Sequence, residues 1–207
     1  STSRRQRQMC IRDRLFTFMV FCWNCAENLE MDEVEQTATE AIIMHYVAPP
    51  PAGNYLDSMR MAFVNAIEVS GEGNIDIIYN GTLEFREDYS FIAVVHYSKD
   101  GSKRIIYVNE LLIWEYTWEG YLLIALHEWF HLNRAPSYYN NDQGHAYMVV
   151  STEYRIWIKR MFGCSDEEAR WLAYVGTENT IVYNNLSAEE KAAVQIVCER
   201  FKIKRKK

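Results

Sequence analysis

A strongly apolar segment that runs into two histidines constrains the fold more than any other part of the chain. Residues 119–126 read Glu-Gly-Tyr-Leu-Leu-Ile-Ala-Leu and lead directly into His-Glu-Trp-Phe-His at 127–131. The apolar character of this run predicts a helix that is buried on most of its sides. Ionisable groups in such a helix are costly unless they have partners, so we expect the helix to carry a site.

The two histidines have the spacing of metal ligands. His127 and His131 lie four residues apart, so a helix places both imidazoles on one face. Zinc prefers neutral imidazole nitrogens at roughly 2.0–2.1 Å, and an open coordination position lets it acidify a water molecule. Glu128 would take a proton from that water and pass it to a leaving amine. The pattern therefore predicts a zinc site with a catalytic base; the competing interpretation is two core histidines beside a surface glutamate.

A third ligand is expected downstream of this helix. Residues 132–144 are rich in turn-forming side chains and predict a loop. His145 then opens a second predicted helix over 145–158, with Asp142 as its candidate N-cap. A helix, a loop and a return helix would bring His145 over the first two histidines. Glu153 is the competing third ligand, which would give a site of two histidines and one carboxylate; we favour His145.

This order of motifs resembles the SprT-like (Spartan-type) zincin metallopeptidases, in which H-E-x-x-H is followed downstream by a Gly-His step. Gly144-His145 matches that step, and the segment 104–112 is similar to the strand before their active-site helix. Residues 171–180 are also similar to a segment of uncharacterised zinc metallopeptidases of Bacteroidota. The resemblance covers roughly residues 75–182. It implies one zinc ion per chain bound by His127, His131 and His145, and peptidase activity with Glu128 as catalytic base.

Two features depart from the family pattern. Trp129 and Phe130 are bulkier than the residues usually found inside the motif. The sequence also has no Cys-rich zinc ribbon and no long basic DNA-binding extension. The second departure weakens the implied role near DNA more than it weakens the zinc site.

The remaining pattern predicts an α+β fold, a zincin-like metallopeptidase domain over residues 30–203. Helices are expected at Met31–Tyr46 and near Tyr55–Ile67, the second ending at Ser70-Gly71. A small, mostly antiparallel sheet is expected to pack on the active-site helix, and its exposed edge could hold an extended peptide. Its predicted strands are Ile75–Tyr79, about Ser90–Tyr97 and Lys103–Val108, with a hairpin turn at 98–102.

The C-terminal part predicts helices and leaves the state of two cysteines open. Ser165-x-x-Glu168 and Ser187-x-x-Glu190 both have the form of capping boxes that begin helices. Cys164 and Cys198 are compatible with buried thiols or with a disulfide.

Composition and charge favour one globular domain that does not bind nucleic acid. The chain has 207 residues, and 49% hydrophobic content is typical of a folded domain. A net charge of −6 disfavours nucleic-acid binding, because phosphate contacts require basic surface. No apolar stretch is long enough to span a membrane. The basic residues 204–207 predict a short solvated tail.

The N-terminal residues call for a separate interpretation. Residues 1–14 resemble a translated sequencing adapter, and leaving them out removes five Arg and one Asp, which makes the rest more acidic. Residues 15–29 contain a short apolar run typical of the remnant of an export signal, with Cys22 or Cys25 as a candidate lipid-anchor site. The alternative is a buried N-terminal helix. We therefore expect export to the periplasm or cell surface of a bacterium, with a cytoplasmic location as the alternative.

Together these observations predict a zinc-dependent hydrolase of peptide bonds in a peptide or protein substrate. One alternative is a zinc-binding domain without catalytic activity that serves structure or interaction. A second is an intracellular SprT-like protease that acts near DNA, and a third is an accidental motif in a binding module. The sequence does not specify the substrate or the oligomeric state.

Overall fold

The computed structural model describes the part of the chain that carries the predicted site. All of these residues belong to one compact unit, Met44–Lys207. The predicted helix at Met31–Tyr46, the two N-terminal segments with Cys22 and Cys25, and the tail 204–207 lie outside the described residues and stay predictions. The described ranges are 54–73, 75–79, 81–87, 91–98, 103–113, 116–134 and 141–203.

The described residues form two helices, then three short strands, then seven further helices, which confirms an α+β architecture. The strands are β1 (Leu83–Arg86), β2 (Ala93–Tyr97) and β3 (Arg104–Asn109). The helices are α1 (Tyr55–Ser70), α2 (Asp76–Tyr79), α3 (Glu110–Ile113), α4 (Trp118–Asn133), α5 (Asn141–Val150), α6 (Thr152–Phe162), α7 (Asp166–Leu172), α8 (Ile181–Asn184) and α9 (Ala188–Arg200).

The sheet is mixed, whereas the sequence predicted one that is mostly antiparallel. Its order is β1-β3-β2, with β2 antiparallel and β1 parallel to β3. β2 and β3 pair as consecutive antiparallel strands, and their ladder extends to Ser98, whose N–H donates to Lys103 C=O at 3.0 Å; the predicted turn residues 99–102 lie outside the described residues. β3 therefore lies between the other two strands. Its antiparallel partner is β2, and β1 is its parallel partner on the opposite edge.

One predicted strand is wrong. Ile75–Tyr79 was expected to be extended, but Asp76–Tyr79 forms a single helical turn and the first strand is β1. A short apolar run cannot be assigned to helix or strand by periodicity alone. Here Ile75 and Tyr79 are 37% and 61% exposed, so the run is not the buried face of a sheet.

Helix α4, which carries the H-E-x-x-H motif, is buried as predicted, and the two bulky motif residues account for much of its packing. Trp129 is 1% exposed, and its Nε1 donates to Ser70 Oγ at the end of α1 at 3.0 Å. Phe130 is fully buried and contacts the rings of Tyr154 and Trp157 on α6. Trp129 and Phe130 therefore fix α4 between α1 and α6, with the H-E-x-x-H face turned the other way.

The sheet holds the C-terminal end of α4. Tyr97 Oη donates to His131 C=O at 2.7 Å, and Arg104 Nη1 donates to Leu132 C=O at 3.0 Å. The last carbonyls of a helix have no partner within the helix, so these donors satisfy groups that would otherwise need water. The end of α4 that carries His131 is thereby fixed against β2 and β3.

The helix predicted at 145–158 is two helices. α5 begins at Asn141, and a new helix begins after Ser151, whose side chain accepts from Tyr154 N–H as an N-cap. A serine that bonds to the backbone in this way begins a helix instead of continuing one. Asp142 lies in the first turn of α5, and its Oδ1 accepts from the backbone N–H of Ile181 at 3.0 Å. It therefore connects α5 to α8, in place of the predicted N-cap.

Both predicted C-terminal capping boxes are confirmed, and the two cysteines, whose state the sequence left open, are described as well. Ser165 with Glu168 and Ser187 with Glu190 form reciprocal capping boxes at the starts of α7 and α9. Cys164 is buried and Cys198 half-buried, and no disulfide joins these two described cysteines. Within the described ranges, every helix is too short or too polar to cross a lipid bilayer.

Candidate metal centre

Two imidazoles from α4 meet on one face of the helix. The Nε2 atoms of His127 and His131 are 3.1 Å apart, as the four-residue spacing predicts for neighbouring turns. His127 is buried, and His131 is half-buried. Both rings turn the same nitrogen toward one point, so a single ion could contact both.

The third imidazole comes from α5. His145 Nε2 lies 3.1 Å from His127 Nε2 and 3.3 Å from His131 Nε2, and the His145 side chain is 6% exposed. Nitrogens at two corners of a zinc tetrahedron with bonds of 2.0–2.1 Å are roughly 3.3–3.4 Å apart. The three side chains thus form a group that could bind one metal ion.

Hydrogen bonds alone do not account for this arrangement. A neutral imidazole nitrogen has either one proton or one lone pair in the ring plane, so Nε2 cannot bond well to two neighbours at once. Three such nitrogens facing one another leave lone pairs opposed in a buried place, which is costly. A cation at the centre accepts all three lone pairs together, so the donor set fits a metal ion.

Burial keeps His127 in the form that binds metals. Desolvation lowers its pKa well below 6.5, the nearby rings of His131 and His145 lower it further, and the backbone of Val175 acts in the opposite direction. A metal ligand must be the neutral imidazole, because the lone pair is needed for the bond. His127 is therefore neutral at neutral pH without any ion present.

A turn after α7 contacts the far side of His127. Gly176 has φ +88°, and a Cβ added there would lie 3.2 Å from His127 Nδ1. That Nδ1 has no hydrogen bond of good geometry to a described residue, although the backbone of Val175 lies near enough to affect its pKa. When Nε2 binds a metal, Nδ1 carries the proton and needs an acceptor, commonly a backbone carbonyl. Val175 and Gly176 therefore form the outer support of this ligand.

A second glycine lies behind His131. A Cβ at Gly144 would be 3.4 Å from His131 Cε1, which is ordinary van der Waals contact. Gly144 is helical and directly precedes His145. The Gly-His step thus lets α5 approach α4 closely, but with more room than the turn at Gly176 leaves.

Glu128 has an environment that favours its protonated form in the metal-free protein. Its side chain is 8% exposed, and burial raises its pKa from 4.5 to about 8, while the Val95 backbone N–H favours the carboxylate. A cation held by the adjacent histidines would favour the carboxylate as well. The group can therefore accept and release a proton near neutral pH, as a general base requires.

The strand β2 presents a free edge next to Glu128 in the described part of the sheet. Asn109 N–H donates to Ile92 C=O at 2.9 Å, which marks residues 92 and 109 as a hydrogen-bonded pair. Such pairs alternate along an antiparallel ladder, so the backbone groups of Ala93 and Val95 point away from β3. Val95 is the residue whose N–H faces Glu128, so this edge borders the site.

Glu153, the competing third ligand, does not join the histidines. Its carboxylate accepts from Arg134 Nε at 2.9 Å and from Arg134 Nη2 at 3.1 Å. Arg134 also pairs with Glu72, which follows α1. Arg134 follows the last residue of α4, so the two carboxylates connect the ends of α1, α4 and α6 instead of binding a metal.

A cleft of about 740 Å³ lies beside the metal centre. His127 and Glu128 form part of its wall, together with Ile92 and Ala93 from the start of β2. The turn at 175–179, one face of α9 and side chains from α3 and α4 also line it. The cleft thus places a bound molecule next to the candidate base.

Parts of this site were not predicted from the sequence. Gly176 and Val175 lie 49 and 48 residues after His127, and only tertiary structure brings them behind its ring. The one available signal was a glycine inside the segment 171–180, which the resemblance had singled out without a role. The contribution of α9 to the cleft had no signal, since Gln195 and Glu199 look like ordinary exposed helix residues.

Comparisons with known proteins add no family to this description. No protein-family model, curated protein or solved structure matches the chain. Any function must therefore be argued from the geometry of the site.

Proposed function

We propose that this protein is a zinc-dependent hydrolase that cleaves peptide bonds in a peptide or protein substrate. The observation that carries the proposal is the convergence of three imidazole Nε2 atoms, 3.1–3.3 Å apart, in sequence and space next to Glu128. The cleft that opens onto His127 and Glu128 supports it, because a substrate needs access to both.

Zinc fits the donor set better than Mg²⁺ or Ca²⁺ does. Three neutral imidazoles and no carboxylate disfavour Mg²⁺ and Ca²⁺, which prefer oxygen ligands. Structural zinc sites are closed by four protein ligands, whereas catalytic sites use three and leave one position open. Among the described residues the group has three members, which favours a catalytic site over a structural one.

Hydrolysis requires a Lewis acid and a group that transfers a proton, and we assign the second role to Glu128. A bound zinc ion supplies Lewis acidity, which polarises a carbonyl and acidifies water. Glu128 accepts one proton from the attacking water as its oxygen bonds to the carbonyl carbon. Glu128 then gives that proton to the amide nitrogen as the C–N bond breaks, so the products are a carboxylic acid and an amine. In the metal-free protein, burial beside the cleft raises the pKa of this glutamate to about 8, and a bound cation would shift it back toward the carboxylate that accepts the proton.

The free edge of β2 supports a peptide as the substrate. The backbone groups of Ala93 point away from β3, and this residue lines the cleft. An extended peptide can add to such an edge by backbone hydrogen bonds, which do not depend on its side chains. Val95 is less available, because its N–H faces Glu128. We therefore place the substrate backbone along the start of β2.

The test compares the metal content and peptidase activity of two proteins. Wild type and Glu128→Gln are purified, loaded with zinc, dialysed and measured for bound metal and for hydrolysis of a random peptide pool. We expect about one zinc per chain in both. Hydrolysis should fall by a factor of about 10² to 10⁴ in the variant, because general base catalysis contributes that much.

Glu68→Gln serves as the matched control, since Glu68 is exposed on α1 and does not line the cleft. It should keep both zinc and activity. Zinc in the wild type without hydrolysis would favour the inactive, interaction-domain alternative. Absence of zinc from the loaded wild type would overturn the proposal.

A further inference from the structure

We propose that Arg134 is a positioning residue for the candidate metal centre. By binding Glu153, it sets where His145 lies relative to the two histidines of α4. The inference rests on the proposed function, because it concerns how tightly the chain holds the zinc ion that hydrolysis needs. Its starting point is a network of ion pairs at the end of α4, three residues after His131.

The contact between Arg134 and Glu153 has a defined geometry. Arg134 Nε donates to one carboxylate oxygen at 2.9 Å, and Nη2 donates to the other at 3.1 Å. Two such bonds from a planar guanidinium fix the orientation of the pair as well as its distance. The two side chains are 32% and 38% exposed, and Arg134 also pairs with Glu72, which follows α1. A half-buried network of this kind is screened less by salt than an isolated exposed pair, which contributes little.

Glu153 is coupled to His145 through the corner between α5 and α6. Glu153 lies in the first turn of α6, and the single residue Ser151 separates that helix from α5. Ser151 is buried; its N–H donates to Met148 C=O at 3.1 Å, and its Oγ accepts from Tyr154 N–H at 3.3 Å. A corner that is buried and bonded to both helices has little freedom to bend. A shift in the first turn of α6 therefore moves α5 as well.

Packing alone holds α5 less firmly than it holds α4. Met148 and Val149 are buried, whereas Tyr147 and Val150 on the same helix are 49% and 67% exposed. A helix that packs on one side shifts more readily than one buried on most sides. The three Nε2 atoms are 3.1–3.3 Å apart, a spacing that zinc bonds of roughly 2.0–2.1 Å require. A small displacement of His145 therefore weakens metal binding, and the contact between α4 and α6 opposes that displacement.

The network contains its own control. Glu153 and Glu72 both pair with Arg134, but Glu153 lies on the helix joined to α5, whereas Glu72 follows α1. If Arg134 only stabilises the end of α4, loss of either carboxylate should affect zinc binding to a similar extent. If Arg134 positions His145, zinc binding should depend on Glu153 and not on Glu72.

Competition with a chromophoric chelator measures the zinc affinity of the full chain. Arg134→Gln and Glu153→Gln should each weaken zinc binding about five- to twentyfold, somewhat less than the 10- to 100-fold typical of groups that contact a metal ligand directly. Glu72→Gln should stay within about twofold of wild type. Arg134→Lys keeps the charge without the planar fork, so its affinity should lie between those of wild type and Arg134→Gln. The double variant Arg134→Gln with Glu153→Gln should bind zinc about as weakly as either single variant, since both changes remove the same contact.

Cobalt(II) in the same site provides a readout of geometry, because its visible spectrum depends on the arrangement of its ligands. Arg134→Gln and Glu153→Gln should alter the spectrum of the cobalt-loaded protein, and Glu72→Gln should not. Wild-type zinc affinity and cobalt spectrum in Glu153→Gln, or an equal loss of affinity in Glu72→Gln, would overturn the inference. Zinc binding and hydrolysis by the wild type would still stand in those cases. A wild type that binds no zinc would overturn the proposed function as well, so the two failures are distinguishable.

Discussion

The two halves of the candidate metal centre are held in different ways. His127 and His131 lie in α4, a helix packed between α1 and α6, and the sheet holds its end through Tyr97 and Arg104. His145 lies on α5, a separate ten-residue helix, and Asp142 in its first turn accepts from Ile181 N–H. Core packing thus fixes the helix that carries His127 and His131, whereas a separate helix positions His145.

The difference indicates where a metal ion contributes most to folding. A pair at i and i+4 is positioned as soon as its helix forms, whereas His145 requires the chain to close between α4 and α5. A ligand that binds only the folded state stabilises what it connects. We therefore expect metal binding to stabilise α5 more than α4.

Loss of any one histidine should have the largest effect. His145→Ala and His131→Ala should each weaken zinc binding by on the order of a thousandfold, since a third of the donor set is removed. Competition with a chromophoric chelator measures the affinity. A variant that keeps wild-type affinity would show that its histidine is not a ligand.

The protonation of Glu128 should make the metal-free protein less stable as the pH rises. Its folded-state pKa of about 8 lies above its ordinary value of 4.5, so its protonated form stabilises the fold. This contribution is fully present below about pH 4.5 and is lost as the pH rises through about 8. In chelator-treated samples, wild type should lose a few kcal/mol of unfolding free energy relative to Glu128→Gln across that window.

Urea unfolding at several pH values measures this difference. His127 acts in the opposite sense in both proteins, because its lowered pKa favours the fold above pH 6.5. The comparison with Glu128→Gln cancels that contribution. Parallel stability curves for the two proteins would contradict the assigned environment of the glutamate.

The support behind His127 should matter more than the support behind His131. Gly176→Ala should weaken zinc binding by roughly 10- to 100-fold, because the added Cβ would displace the His127 ring. Gly81→Ala is the matched control, since it has the same φ of +88° but no atom within 4 Å of the new Cβ. It should cost about 1–3 kcal/mol of stability without changing zinc affinity.

Gly144→Ala completes the series. Its Cβ would only touch His131 Cε1 at 3.4 Å, and its backbone is already helical. We expect a zinc affinity within about threefold of wild type and a stability equal to or slightly above it. A loss of zinc affinity as large as that of Gly176→Ala would show that Gly144 lies as tightly against His131 as Gly176 lies against His127.

Hydrogen exchange tests the contrast between the two helices directly. Zinc should raise amide protection in α5 by a larger factor than in α4, since α4 is already fixed by packing. Exchange followed by mass spectrometry compares peptides from 141–150 with peptides from 118–133. An equal gain in amide protection in both helices would contradict the expectation that zinc stabilises α5 more than α4.

The smallest effect concerns the two described cysteines. Burial raises the pKa of Cys164 to about 12, so its thiol should resist alkylation at pH 8. Cys198 is half-buried and lines the cleft, so it should react first. Peptide mapping after brief iodoacetamide treatment gives the two rates. Faster labelling of Cys164 would contradict the packing around α7.

The parts of the molecule that were predicted correctly are those determined over a few residues. The buried helix that carries H-E-x-x-H, the capping boxes at Ser165 and Ser187, and the β2–β3 hairpin all depend on local pattern. The errors arose where packing decides. The run at 75–79 has no periodicity that separates strand from helix, and the break at Ser151 depends on a cap that a helical pattern hides.

The candidate site also combines features that local sequence predicts with features that depend on tertiary packing. The i, i+4 pair and the Gly-His step were visible in the sequence, whereas the choice between His145 and Glu153 depended on the tertiary fold. Glu153 is engaged by Arg134, a contact between residues 19 positions apart that no local pattern predicts. The turn at Gly176 and the α9 side of the cleft come from still more distant segments.

X-ray absorption spectroscopy of the zinc-loaded protein tests the central claim most directly. We expect three imidazole nitrogens and one further light atom at roughly 2.0–2.1 Å from the zinc ion, in wild type and in Glu128→Gln alike. His145→Ala should lose the third imidazole from the spectrum. A sulfur ligand, four protein ligands, or a spectrum unchanged in His145→Ala would contradict a three-histidine site.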